Sequence, residues 1–343
     1  MAANLSSSLS LAFWLGPWAE KRTPQHVERR EVQVGPVSIY VYDAHTSPRG
    51  VYVVAQGMHY LGPDDPRLDR FCRVLARAGF RVIAPKLRDF LALRMAETTK
   101  DDLGAAVTLA LDDARALGVA KPSLMSISFG SRPAIAIAAD ERFADALGRL
   151  ILFGGFFDFD AAIRFAITGR ARDPLNAPVV FMNLLPYLET SADRDVVREA
   201  WREMVVRTWG KMELKAEGAR DPIAHEIAAR LGDAERELFL LGCSLSPGGE
   251  VVLDEALARS QDDFAWTSPA DDLARVRAPI TIVHGRDDDV IPVHEADKLA
   301  RHAPSAELLV TGMYGHTGSA LPSPRALATE LRTLGRVVRR LAG

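Results

Sequence analysis

The chain has little cysteine. Its two cysteines, Cys72 and Cys243, lie far apart in sequence. That excludes a disulfide framework and any cysteine metal-ligand spacing, so a reducing compartment is the default and a cytoplasmic location is expected. No apolar run is as long as a membrane-spanning helix. Neither sign of charge dominates: the formal net charge is -3, which makes no case for nucleic acid as a partner. Internal repeats and low-complexity tracts are also lacking. What remains is a globular composition, 48% hydrophobic and 25% charged over 343 residues. That length suffices for one large α/β domain carrying a sizeable insertion.

The N-terminal stretch from Leu9 to Trp18 is apolar and aromatic. It lacks the basic residues that precede a signal-peptide core, and no small-residue cleavage site follows cleanly. A segment packed on the domain surface is expected. The alternative is an interfacial element with Trp14 and Trp18 at a lipid surface, a peripheral membrane contact.

Further along, alternating residues around Gly35-Pro36 predict an antiparallel hairpin near a sheet edge. A continuous apolar run at Val51–Ala55 reads as a strand buried on both faces, Leu150–Gly155 as another buried strand, Phe80–Pro85 and Pro279–His284 as further strands, and Glu307–Val310 as the last one. Helical patterns fall between them, at Arg67–Ala78, Thr99–Leu117 and His294–His302, with a terminal helix at Pro324–Leu341 whose inward face is expected to carry Leu327, Leu331, Leu334 and Val338. This alternation predicts an α/β fold: a doubly wound, mostly parallel sheet of about eight strands with helices on both faces. Between Gly155 and Pro279 the rhythm breaks for far more residues than one crossover needs. Helical signals there (Asp195–Trp209 with Val196, Ala200, Met204 and Val205 inward, Asp221–Leu231, Ala234–Leu241) predict a mostly helical insertion. The expected division is an N-terminal extension at 1–29, a core domain at 30–155 and 267–343, and a cap at 156–266.

One stretch carries chemistry. The apolar run at Pro122–Met125 leads through Ser126-Ile127-Ser128-Phe129-Gly130 into the helical Pro133–Ala139. A strand-to-helix turn that sharp tolerates only small residues two positions either side of its apex. Ser126 and Gly130 meet that need. Ser128, at the apex, would aim its hydroxyl out of the sheet toward the positive end of the next helix. Two further features follow at predicted carboxyl ends of strands, where such sheets place their ligands. They are the acidic run Asp287-Asp288-Asp289 and the glycine-flanked His316.

Ser128, then Asp288, then His316 is the order of residues in the α/β-hydrolase superfamily, which this chain resembles over about 30–155 and 267–341. The resemblance implies a serine hydrolase with a variable cap. Within the acidic run, Gly285, Asp288 and Pro292 match the family's Gly-x-x-Asp-x-x-x-Pro, so it implies Asp288 as the triad acid. Asp287 and Asp289 then read as solvated loop residues. Asp158 is the alternative acid, because some members carry it after the earlier strand. The oxyanion donors implied are the backbone N–H groups of Phe129 and Met58. Many relatives have His-Gly before the second donor, where this chain has Gln56-Gly57. His59 and Phe156 are candidates for the substrate pocket, while His284 is expected to point into the sheet or its rim.

The activity implied is acyl transfer on a carboxylic ester or thioester, a lipophilic acyl chain among the options, without metal or cofactor. Two alternatives stay open. One is hydrolysis of a carbon–carbon bond in a diketone-like acid, with Arg164, Arg170 or Arg172 on a carboxylate. The other is a catalytically silent member of the fold that binds a ligand or partner chain.

Overall fold

The computed structural model describes residues 2–15, 22–44, 46–303, 305–315, 318–319 and 324–343. It divides into two units. One comprises residues 1–157, 269–288 and 293–343, and the other residues 158–268 and 289–292.

The first unit is built on a sheet of eight strands: β1 (Val27–Val34), β2 (Val37–Ala44), β3 (Val51–Ala55), β4 (Arg81–Pro85), β5 (Ser123–Ile127), β6 (Arg149–Phe153), β7 (Ile280–Gly285) and β8 (Glu307–Thr311). Their spatial order is β1-β2-β4-β3-β5-β6-β7-β8. The predicted hairpin is there: β1 and β2 pair antiparallel, and β2 pairs antiparallel with β4. From β4 through β8 every pairing is parallel. All five residues of β3 are buried, as its unbroken apolar run requires of a strand covered on both faces.

The helices of this unit are α1 (Ala2–Leu15), α2 (Pro66–Arg77), α3 (Arg88–Leu91), α4 (Thr99–Leu117) and α5 (Ser131–Ala139). Those of the second unit are α6 (Phe159–Thr168), α7 (Ala177–Leu184), α8 (Arg194–Thr208), α9 (Asp221–Ala228), α10 (Asp233–Gly242) and α11 (Gly249–Ser260). The first unit resumes with α12 (Ala270–Arg275), α13 (His294–His302) and α14 (Pro324–Ala342).

Alternation along the strands divides the core between the two sheet faces. Tyr42, Tyr52, Val54, Val82, Met125, Ile151 and Val283 pack with residues of α1, α2 and α14. On the other side α4, α5, α12 and α13 adjoin one another in turn along the sheet. Of the two terminal elements, the N-terminal one packs on the domain as expected, and the C-terminal helix turns a different face inward. The N-terminal stretch forms α1, which buries Leu11, and Ser7 Oγ donates to the Ala78 carbonyl at 2.6 Å. Trp14 packs partly buried against the core, and Trp18 lies outside the described residues. On α14 the inward face runs through Glu330, Leu334, Val337, Val338 and Leu341, and leaves Leu331 exposed.

In the helical unit, Trp201 is fully buried against Phe181, and its Nε1 donates to the Phe239 carbonyl at 3.1 Å. The inward face of α8 therefore runs Val197, Ala200, Trp201, Met204 and Val205. Val196, expected inside, is exposed. A shift of one residue turns a helix by about 100°, which explains that error. Asp289, expected to be solvated, accepts the Asp173 N–H at its carbonyl, and its carboxylate pairs with Lys215. Asp287 is exposed, as expected.

Candidate active site

The centre of the sheet runs from β5 straight into α5. Ile127 is extended (φ -124, ψ 132). Ser128 then takes φ +53, a left-handed conformation that costs a non-glycine residue about 1–2 kcal/mol. The backbone has therefore reversed within one residue, and Ser128 stands at the apex. Backbone strain of this kind clusters at functional sites, which makes Ser128 the candidate of this turn.

The neighbours are as small as the turn demands. A Cβ at Gly130 would lie 2.4 Å from the carbonyl oxygen of Gln56 and 3.0 Å from that of Ala55. A Cβ at Gly57 would lie 3.2 Å from the Ser128 Cβ. The Gln56-Gly57 turn thus passes directly beside the serine. That brings together Ser128 and the loop of the expected donor Met58. This strand order, with a strained serine turn after the fifth strand, decides the fold. The chain has the α/β-hydrolase fold.

No protein-family model matches the chain, and no curated protein matches it in sequence. Solved structures similar to it include an esterase of Pyrococcus furiosus. That match has 11% identity and a TM-score of 0.47, covering 92% of this chain and 89% of the esterase. Another is 2-hydroxy-6-oxo-6-phenylhexa-2,4-dienoate hydrolase from Rhodococcus sp. strain RHA1, at 15% identity and a TM-score of 0.48, covering 92% and 98%. A third is a proline iminopeptidase-related protein from Thermus thermophilus, at 19% identity and a TM-score of 0.45, covering 92% and 99%.

The other expected residues of the α/β-hydrolase site fall as follows. Asp288 follows the end of β7, two strands from β5, with its side chain almost wholly buried. His284 Nε2 lies 3.5 Å from its Oδ2, and His284 is fully buried. His284 therefore points into the interior, as expected, and it also abuts the candidate acid, which the sequence did not reveal. His316 lies outside the described residues. The ring of Phe129 packs on that of Phe156, with centroids 5.3 Å apart, and Phe156 is fully buried. Asp158 belongs to the helical unit and accepts the Ala161 N–H at 3.0 Å as the N-cap of α6. Both thiols are buried, and burial pushes Cys72 and Cys243 well above the usual thiol range, so neither is reactive. Among the described residues no group of three His, Cys, Asp or Glu could hold a metal ion.

His59 is used inside its own loop. Its Nδ1 accepts the Leu61 N–H at 3.2 Å, and its Nε2 stands 3.3 Å from Asp65 Oδ2. Asp65 also caps α2 through Arg67 N at 2.8 Å and pairs with the Arg67 guanidinium. This brace holds the loop that follows Gly57. Asp65 before Pro66, an N-cap acid followed by proline at the first helical position, is the local signal that could have marked this brace. Gln56, where many relatives have histidine, is buried with its amide against Gly62.

Burial lowers the His59 imidazole below its ordinary 6.5. Arg67 lowers it further, while Asp65 opposes both. In the window below pH 6.5 the unfolded chain then binds more protons than the folded one, so stability rises with pH. The contribution is complete above pH 6.5 and is lost as pH falls through the folded value. The melting temperature is expected to drop between pH 7 and pH 5, and His59→Gln should flatten that slope. Equal slopes in both proteins would show that another group titrates.

The elbow's packing gives a second expectation. Gly130→Ala must move the Gln56 carbonyl or the serine turn, at a cost of about 3 kcal/mol by the scale of overpacked cores. Urea midpoints measure it, and an unchanged midpoint would mean that the two strand ends are not in contact.

Proposed function

We propose that this chain is a serine hydrolase of carboxylic esters or thioesters. Ser128 is the nucleophile, His316 the base and Asp288 the orienting acid. The observation that carries the reading is Ser128 at φ +53 with the Gly57 backbone against its Cβ. A serine serving only as a strand-to-helix connector has no reason to hold that conformation.

The chemistry follows from the residue types. His316 takes the hydroxyl proton as Ser128 Oγ attacks the carbonyl carbon, since imidazole titrates near neutrality. The carbonyl oxygen becomes an oxyanion and accepts the N–H groups of Met58 and Phe129. His316 then gives its proton to the departing alkoxide or thiolate, leaving an acyl-serine. Water repeats the sequence, releasing the acid and restoring Ser128. Asp288 keeps the imidazole in the productive tautomer and stabilises its charged form.

Asp288 is preferred over Asp158 because the latter already caps α6. Arg164, one candidate for holding a carboxylate in carbon–carbon hydrolysis, is paired with Asp254. An ester or thioester is accordingly the first substrate class to test. A serine-reactive phosphonate should label the wild type, and p-nitrophenyl esters and acyl thioesters of graded chain length should then be screened. A wild-type chain that stays unlabelled beside active controls would point instead to a silent member of the fold.

A further inference from the structure

We propose that Glu330 is a positioning residue for this hydrolase site, holding the end of β8, which precedes His316 in sequence, against the start of the loop that carries Asp288; the proposal rests on the serine-hydrolase reading above. Glu330 lies on α14 and is 1% exposed. A buried carboxylate needs strong partners, because an unpaired one is costly. Its Oε2 accepts two hydrogen bonds from the end of β8, one from Thr311 Oγ1 at 2.7 Å and one from Gly312 N at 3.0 Å. Thr311 Oγ1 in turn accepts the Met313 N–H at 3.1 Å. One carboxylate oxygen thus organises three consecutive residues, and His316 follows three positions later in sequence.

The other oxygen reaches the acid loop. Arg286 Nη2 stands 3.2 Å from Glu330 Oε1, and the Arg286 N–H donates to the Thr311 carbonyl at 2.8 Å. Arg286 is two residues before Asp288. A Cβ at Gly312 would come within 3.3 Å of Glu330 Oε1 and 3.4 Å of Arg286 Nη1, so the crossing is close on all sides. The Arg286 side chain is 52% exposed, so this ion pair contributes little by itself. The buried bonds to Thr311 and Gly312 carry the effect.

The substitutions separate these parts. Glu330→Gln can place its amide oxygen where Oε2 stands and keep both β8 bonds. Glu330→Leu removes them and leaves a buried N–H and hydroxyl without an acceptor. Full-length wild type and variants are compared by kcat and KM on the best p-nitrophenyl ester and by the rate of phosphonate labelling. Glu330→Leu is expected to lower kcat and the labelling rate about 10²-fold, the scale of an ångström displacement of a catalytic group, with KM little changed. Glu330→Gln should recover most of that loss. A merely structural glutamate would change the melting temperature without this split. If Glu330→Leu does not fold, Thr311→Val removes one arm of the clamp and should also lower kcat, by less than the roughly 10²-fold of a full displacement. Wild-type kcat in Glu330→Leu or, where that does not fold, in Thr311→Val, or a Gln variant as impaired as Leu, overturns the proposal with the hydrolase reading intact. A wild type that is neither labelled nor active overturns both.

Discussion

Ser128→Ala is expected to lower esterase activity about 10⁶-fold, the scale of a lost triad nucleophile, and to abolish phosphonate labelling. Its partner experiment is Ser126→Ala. Ser126 is fully buried, and its Oγ has no hydrogen-bond partner among the described residues. Alanine there should leave kcat unchanged, and stability equal or slightly higher, because no buried hydroxyl remains to be desolvated. The two serines, separated in sequence only by Ile127, are thus expected to respond oppositely to the same substitution. Ser128→Gly adds a stability reading. Glycine adopts φ +53 without the Cβ penalty, so Ser128→Gly should be about 1 kcal/mol more stable than Ser128→Ala. Activity that survives in Ser128→Ala would remove the nucleophile assignment.

Asp288→Asn is the second large effect, with kcat expected to fall about 10⁴-fold, as when a triad acid becomes an amide and the imidazole loses its productive tautomer. Asp288 also lies beside His284 in the interior, so the substitution carries a stability cost as well. The rate must therefore be read well below the variant's melting temperature. Asp158→Ala is the control. It removes an N-cap, costing about 1 kcal/mol, and should leave kcat within a few-fold of wild type. The reverse outcome, with Asp158→Ala inactive and Asp288→Asn active, would transfer the role of acid to Asp158.

Much of the sheet was legible because its signals are local. The apolar runs of β3, β5, β6 and β7, the helix at Thr99–Leu117 and the hairpin at Gly35-Pro36 each declare themselves within a few residues. Ser126-x-Ser128-x-Gly130 was legible too, since a tight turn restricts residue size at fixed offsets. Helix faces were harder. Val196 and Leu331 both fit an inward face by spacing, yet Val197 with Trp201 and Glu330 with Leu334 define the buried faces. A helix carrying apolar residues on adjacent positions admits two faces, and only its neighbours choose between them.

The sequence by itself determined the order of elements, the small residues around Ser128 and the order Ser128, Asp288, His316, because these depend on local sterics and residue chemistry. Tertiary structure decided the conformation of Ser128 and the passage of Gly57 beside it. It decided as well that His59 braces its own loop through Asp65, that His284 abuts Asp288, and that Glu330 ties β8 to the residue after β7. Each of these depends on contacts that exist only in the folded chain. No periodicity marks such contacts, since each partner satisfies the other only once the chain has folded.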